Sequence, residues 1–278
     1  MRVGVLCLFL FASLASHGSE AAAALSRSEQ SVINFGFATQ LGSGIYSLSG
    51  RTLQVYKLPF AWNLPAEPDA RVKLRLTLPV TIGFVDFKPM DVIEDGLPER
   101  LDSTSFVPGL EADIPVRDDW MLQPFVEAGI ARARGNEVDQ RVYSIGLRSY
   151  YDFGSGITRW QQYDELIHVV VSQESPDSTD DFTRLRVGLT GRRPFVAEGA
   201  ERRADFLGYA FVELYADAPA GPAIRDSDRG APPQYEVGFT LGATETLHLW
   251  KIPLPRIGFG YRFGDGLSVY RFVIGSPY

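Results

Sequence analysis

One cysteine is all the chain carries in 278 residues, beside three histidines and three methionines. That cysteine, Cys7, lies in the apolar N-terminal stretch. A chain cleaved behind it has no disulfide, no thiolate nucleophile and no cysteine ligand for a metal. Small secreted domains commonly lean on disulfides, so this one must be held by something else, and a closed hydrogen-bonded barrel serves. No later segment strings together the about 18 apolar residues that mark a spanning helix. No glycine-rich run follows a strand and opens a helix, which leaves nucleotide binding without support. A basic excess is missing too. The 27 Lys and Arg stand against 34 Asp and Glu, and the net charge of -7 argues against generic nucleic-acid binding.

Met1–Ala24 reads as a secretory signal. Arg2 supplies the positive start, Val3–Leu14 a twelve-residue apolar core, and Ala15 or the Ala21–Ala24 run a small-residue cleavage site. An apolar core of that length falls short of the roughly 20 residues a spanning helix needs, which argues against a retained anchor. Cys7 sits too early, in GVLC, for a lipoprotein acylation site. The expected organisation is a signal at 1–24, a short segment at 25–31 and one β domain over 32–278.

What the chain has in quantity is glycine (27), proline (18) and aromatic residues (12%), the composition of a turn-rich β protein. Alternation is clearest in Arg71–Val85. There Val72, Leu74, Leu76, Leu78, Val80, Ile82 and Phe84 oppose a polar or small parity that includes Lys73, Arg75, Thr77 and Gly83. Val142–Phe153, Gln234–Gly242 and Arg256–Phe263 repeat the pattern. Weaker strands are expected near Val32–Leu41, Arg51–Trp62, Thr104–Pro115, Trp120–Arg134, Ile157–Gln173, Phe182–Arg192 and Ala204–Ala216. The final strand is Gly266–Tyr278, with Tyr270, Phe272, Ile274 and Tyr278 on one side as a closing-strand signal. The fold class is all-β. The sequence predicts a transmembrane antiparallel β-barrel of twelve strands, with ten and fourteen as the neighbouring counts.

Two features test that picture. With the N-terminus periplasmic, odd-numbered connections face outward and should be long. The long stretches 87–103 and 217–233 obey this, whereas the short fifth and eleventh connections and the ten-residue eighth do not. Prolines 59, 79, 108, 115, 124, 253 and 255 fall within or beside predicted strands. Each deletes a ladder donor, so bulges or early strand ends must absorb them.

Catalytic chemistry has little to work with. His168 and His248 remain after signal removal, and neither has a serine two residues on, as an outer-membrane phospholipase A would show. No catalytic residue is assigned, and a lipid-modifying enzyme at the lipid rim stays as the alternative. No metal-ligand spacing occurs, and Asp177–Asp181 lacks the ligand pattern of a calcium loop, so no metal or cofactor is expected. The parity opposite the apolar face carries Lys73, Arg75, Arg148, Arg184, Arg186, Arg256, Arg262 and Arg271, against only Glu127 and Glu236. Two arrangements fit. An open basic lumen would favour anions; otherwise acidic loops or a plug segment fold in and neutralise it.

The segments NFGFATQLGSG (Asn34–Gly44) and YRFGDGLSVYRF (Tyr261–Phe272), with the signal and the terminal aromatic strand, resemble the solitary outer-membrane autotransporter-like β-barrels of Gram-negative bacteria. The resemblance covers Val32–Tyr278. It implies a translocator-type barrel in the outer membrane with no established reaction. Ser276 and Pro277 depart from the usual closing-strand signal. About ten residues separate the cleavage site from the first expected strand, so no passenger and no self-transport are expected. The expected surroundings are outer-membrane lipid and lipopolysaccharide, with the barrel-assembly machinery and periplasmic chaperones during biogenesis. A monomer acting as a narrow pore, an adhesin-like surface protein or a structural element follows from this reading.

Overall fold

A computed structural model describes residues 42–48, 51–67, 69–85, 103–133, 139–154, 156–174, 177–196, 203–216, 232–243, 248–249, 252–253, 256–264, 267–275 and 277. Its strands in chain order are β1 (Gly44–Leu48), β2 (Arg51–Asn63), β3 (Lys73–Val85), β4 (Ser103–Phe106), β5 (Gly109–Arg117), β6 (Trp120–Ala133), β7 (Asp139–Phe153) and β8 (Arg159–Glu174). They continue as β9 (Asp177–Val196), β10 (Arg203–Ala216), β11 (Gln234–Ala243), β12 (His248–Leu249), β13 (Ile252–Pro253), β14 (Ile257–Gly264) and β15 (Leu267–Ile274). β12 and β13 pair only with each other, and the other thirteen form one sheet.

That sheet closes on itself. Neighbouring strands pair antiparallel throughout, β11 with β14, and β1 pairs both β2 and β15, with Ile45 opposite Tyr270. β4 and β5 lie end to end between β3 and β6, so thirteen strands make twelve staves. Closure matters physically because strands paired on both sides satisfy their backbone donors and acceptors within the sheet, and hydrocarbon tolerates such groups only when they are paired.

Alternation sorts the side chains by face. Ile145, Leu147, Val237, Phe239, Ile257 and Phe259 are exposed on the outer face, while intervening residues such as Ser144, Glu236, Thr240 and Arg262 are buried inside. Trp62, Phe153, Trp160 and Phe195 stand exposed near one rim, and Tyr235 and Phe263 near the other. Rings in two girdles around an aliphatic band are what a membrane barrel presents to lipid.

The prolines fall where rungs are missing or shifted. Pro79 lies opposite Pro59, and on its other side β3 pairs β4 only to Val80 and β5 only from Thr77. Pro108 occupies the break between β4 and β5, with its carbonyl accepting from the Ala128 amide at 3.0 Å. Pro115 lies at the register shift between β5 and β6, and Pro124 where that ladder skips two rungs. Their lost donors therefore cost little.

Two expectations need adjustment. The strand expected at Val32–Leu41 lies outside the described residues, and closure is made by Gly44–Leu48. The final strand ends at Ile274, four residues before the expected Tyr278, because Gly275 turns into the left-handed region (φ 88°) and donates its amide to the Arg256 carbonyl at 2.7 Å. Tyr270 and Phe272 do face outward; Tyr278 lies outside the described residues.

Candidate functional site

Register decides what the inward parity does. In β7, β8 and β9 the pairing sets Glu165 directly opposite both Arg148 and Arg186. Arg186 in turn faces Glu213 on β10, Glu236 on β11 faces Arg262 on β14, and Arg75 on β3 faces Glu111 on β5. Directly opposed inward side chains lie within contact reach, so opposite charges meet at each of these crossings.

The result is a belt of ion pairs running from β3 to β15. Arg75 Nη2 lies 2.7 Å from Glu111, whose other oxygen accepts from Arg148 at 2.5 Å. Arg148 Nε donates to Glu165 at 2.8 Å, and Glu165 also accepts from Arg184 at 2.6 Å. Glu213 is paired with Arg186 and, at 2.9 Å, with Arg262. Glu236 closes the series, accepting from Arg262 at 2.8 Å and from Arg271 at 2.7 Å. Tyr163, Tyr215 and Tyr209 hydroxyls donate to Glu165, Glu213 and Glu236, each at 2.9 Å. Phe125 lies under the Arg148 guanidinium at 3.9 Å and Phe211 under that of Arg186 at 4.8 Å. Such pairs persist away from water because every carboxylate of the belt is shared by at least two guanidiniums.

Glycine makes room for one of these contacts. Gly238 and Gly260 face each other on β11 and β14, and Tyr209 lies across them to reach Glu236. A Cβ on Gly238 would stand 2.5 Å from both the Phe259 carbonyl oxygen and the Tyr209 ring. Gly238→Ala is expected to displace that ring and cost about 1–3 kcal/mol, the usual penalty of overpacking. The temperature at which the folded band of a heat-modifiable gel disappears measures it; an unchanged temperature contradicts the contact.

The sequence-predicted cations divide three ways. Arg75, Arg148, Arg184, Arg186, Arg262 and Arg271 enter the belt. Arg256 belongs to a separate clasp near the rim, sharing Asp205 with Arg192 and donating to the Thr240 hydroxyl at 3.0 Å. Lys73 is exposed at the start of β3. Sequence reasoning missed Glu111, Glu165, Asp205 and Glu213. The belt still carries six guanidiniums to four carboxylates, an excess of two positive charges.

Beside the belt lies a cavity of about 400 Å³, lined by Lys57, Arg75, Glu111, Arg148, Glu165 and Arg271 among others. His168 lies apart from it, its Nδ1 3.1 Å from the Thr183 hydroxyl, an arrangement in which the two groups satisfy each other. His248 is in β12, and its side chain is outside the described residues. Among the described residues no group of three or more His, Cys, Asp or Glu could hold a metal ion.

No family model and no curated protein matches the sequence. Solved structures do match. One is the crystal structure of the beta domain of the Bordetella autotransporter BrkA, which is 10% identical, with a TM-score of 0.50, over 83% of this chain and 93% of that one. At that identity the likeness speaks for the fold alone: this chain has the β-barrel fold of an autotransporter beta domain.

Proposed function

We propose that this chain is a non-enzymatic outer-membrane β-barrel of the translocator type, whose lumen is shut by its own ion-pair belt. Export begins with the 1–24 signal, and insertion depends on the barrel-assembly machinery. The observation that carries the reading is the belt: it joins nine staves across the inner face through side chains that, apart from Arg75 and Arg148, are no more than 7% exposed. An apolar outer face between aromatic girdles supports the membrane setting. The fold is shared with a protein named as an autotransporter, which supports the class.

A narrow anion-favouring pore is the competing reading, supported by the belt's excess of two positive charges. Planar-bilayer recordings in potassium chloride separate the two. The sealed barrel shows no sustained conductance, and the double variant Glu213→Gln, Glu236→Gln shows chloride-preferring openings because it frees guanidiniums into the lumen. Steady ohmic conductance in the unmodified protein overturns the sealed reading, and chloride preference in that conductance establishes the pore.

A further inference from the structure

β8 interrupts the apolar outer face. Its outward positions run Trp160, Gln162, Asp164, Leu166 and His168, and of these only Trp160 and Leu166 are apolar. Trp160 belongs to the girdle at one rim. Asp164 lies roughly 13 Å further along the strand, at about 3.3 Å per residue, and β8 continues beyond it to Glu174. The carboxylate is therefore inside the apolar band and not at its edge. Its cross-strand neighbours are Ser149 on β7 and Val187 on β9. Around them Leu147, Leu166, Leu185 and Leu189 stand exposed. The outer faces of β10, β11 and β14 show only apolar side chains at Phe206, Val237, Phe239, Ile257 and Phe259.

Hydrogen bonds within the wall do not complete this patch. Among the described residues Asp164 accepts from Gln162 alone, whose Nε2 donates to its two oxygens at 2.9 and 3.2 Å. A carboxylate has about four acceptor positions, and an amide has a second proton to give. Ser149 Oγ accepts from Trp120 Nε1 at 3.0 Å, which leaves its own hydroxyl proton to donate. Acceptor and donors thus lie side by side on one surface. Hydrocarbon satisfies neither. Ionisable groups at membrane depth face protein or a water-filled cavity, not lipid.

We propose that two copies of this chain pair through β8 in the membrane, about a two-fold axis along the membrane normal, in place of the monomer that the sequence suggests. A two-fold contact sets a patch against itself. Here it brings the second amide proton of Gln162 and the Ser149 hydroxyl of each copy to the Asp164 carboxylate of the other, and closes Leu147, Leu166 and Leu189 around them. A patch of acceptors alone would repel its own copy. One that holds donors and acceptor together complements itself, which favours a second copy over an unrelated partner. The pairing rests on the membrane setting proposed above.

Cys7 is the chain's one cysteine, so the full chain carrying Cys7→Ser accepts single thiol reporters. Leu166→Cys places one beside Asp164, and Phe259→Cys places one on β14 at similar exposure, 58% against 52%. Each variant is folded into lipid vesicles and treated with a short bis-maleimide. Heat-modifiable mobility verifies folding, and resistance to carbonate extraction verifies insertion. Leu166→Cys is expected to give at least about tenfold more covalent dimer than Phe259→Cys, and to keep that lead through about tenfold dilution with lipid. Asp164→Leu, which takes a charge off the outer face without touching the lumen, is expected to lower the Leu166→Cys yield about tenfold. Equal yields from the two reporters mean random encounter and overturn the proposal, as does a Leu166→Cys yield that survives Asp164→Leu. A cross-link to a different protein in cells, with none in vesicles of the pure protein, gives this face to another partner and also overturns it. Folded protein that carbonate extracts removes the membrane setting and the pairing together; inserted protein that does not cross-link removes the pairing alone.

Discussion

Glu213→Gln is expected to destabilise the barrel by about 3–5 kcal/mol, the cost of breaking a buried ion pair from one side. Glu213 is 0% exposed and meets Arg186 and Arg262 directly, with Arg184 Nη1 3.8 Å away and the Tyr215 hydroxyl donating at 2.9 Å. Glutamine keeps the shape and one acceptor but removes the charge that three guanidiniums share. Their repulsion is then left among side chains that are only 1–7% exposed, where water screens it poorly. Asp139→Asn is the control. Its pair with Arg132 has the same opposite charges at 2.8 Å, but its side chains are 63% and 51% exposed. Solvent screens that exposed pair, so its loss should hardly move the midpoint. Urea midpoints of the two variants folded into lipid vesicles should differ by most of the larger figure. Equal midpoints mean that the belt is solvated, and the sealed lumen goes with it.

Why the acidic half of this belt escaped sequence reading is a matter of which strands have two distinguishable faces. β3, β7, β11 and β14 carry apolar residues on one parity and small or charged ones on the other, so both their extent and their inward side could be read. β8 reverses the rule. Its inward positions include Tyr163, Ile167, Val169 and Val171, all buried, while Gln162, Asp164 and His168 share the opposite parity with Leu166. With apolar residues inside and polar ones outside, Glu165 had no readable side. β10 is apolar on both parities: Leu207, Tyr209 and Phe211 are buried, and Phe206 and Leu214 exposed. Asp205 and Glu213 were hidden for that reason. Only the ladder register, which ties β8 to the well-phased β7, assigns them.

The lumen also has an apolar layer that alternation does not foresee. Phe125, Val142, Val169, Phe182 and Tyr215 form a buried cluster toward one end of the barrel. Apolar inward residues there match a filled interior, which is why β8 loses its dyad signal; the inward Leu207, Tyr209 and Phe211 of β10 form a separate cluster with Val273. Proline positions were legible as a conflict but not as its solution. The break after β4 and the shifts along β5 are properties of the pairing between strands, and a single strand's sequence does not contain them.

Val237→Arg tests the outer face, and with it the membrane reading. Val237 is 48% exposed in the middle of β11, beside Ala210 and Tyr261 on the neighbouring strands and between Tyr235 and Phe239 on its own. Were this face in water, an arginine there would change stability by no more than about 0.5 kcal/mol, as surface substitutions usually do. In the middle of a bilayer the same arginine costs about 2–4 kcal/mol, falling to about 0–1 kcal/mol near the interfaces. Ser268→Arg supplies the second point, since Ser268 is exposed on the outer face near the rim where β15 begins. The expected result is a large loss of folded barrel in lipid vesicles for Val237→Arg and little for Ser268→Arg. Depth dependence is the discriminating quantity. A soluble protein with a ligand cavity has no bilayer axis, so it gives the two substitutions the same small effect. If both are harmless, the apolar face has another purpose and the outer-membrane assignment fails. A steep difference between them means that the wall stands in lipid.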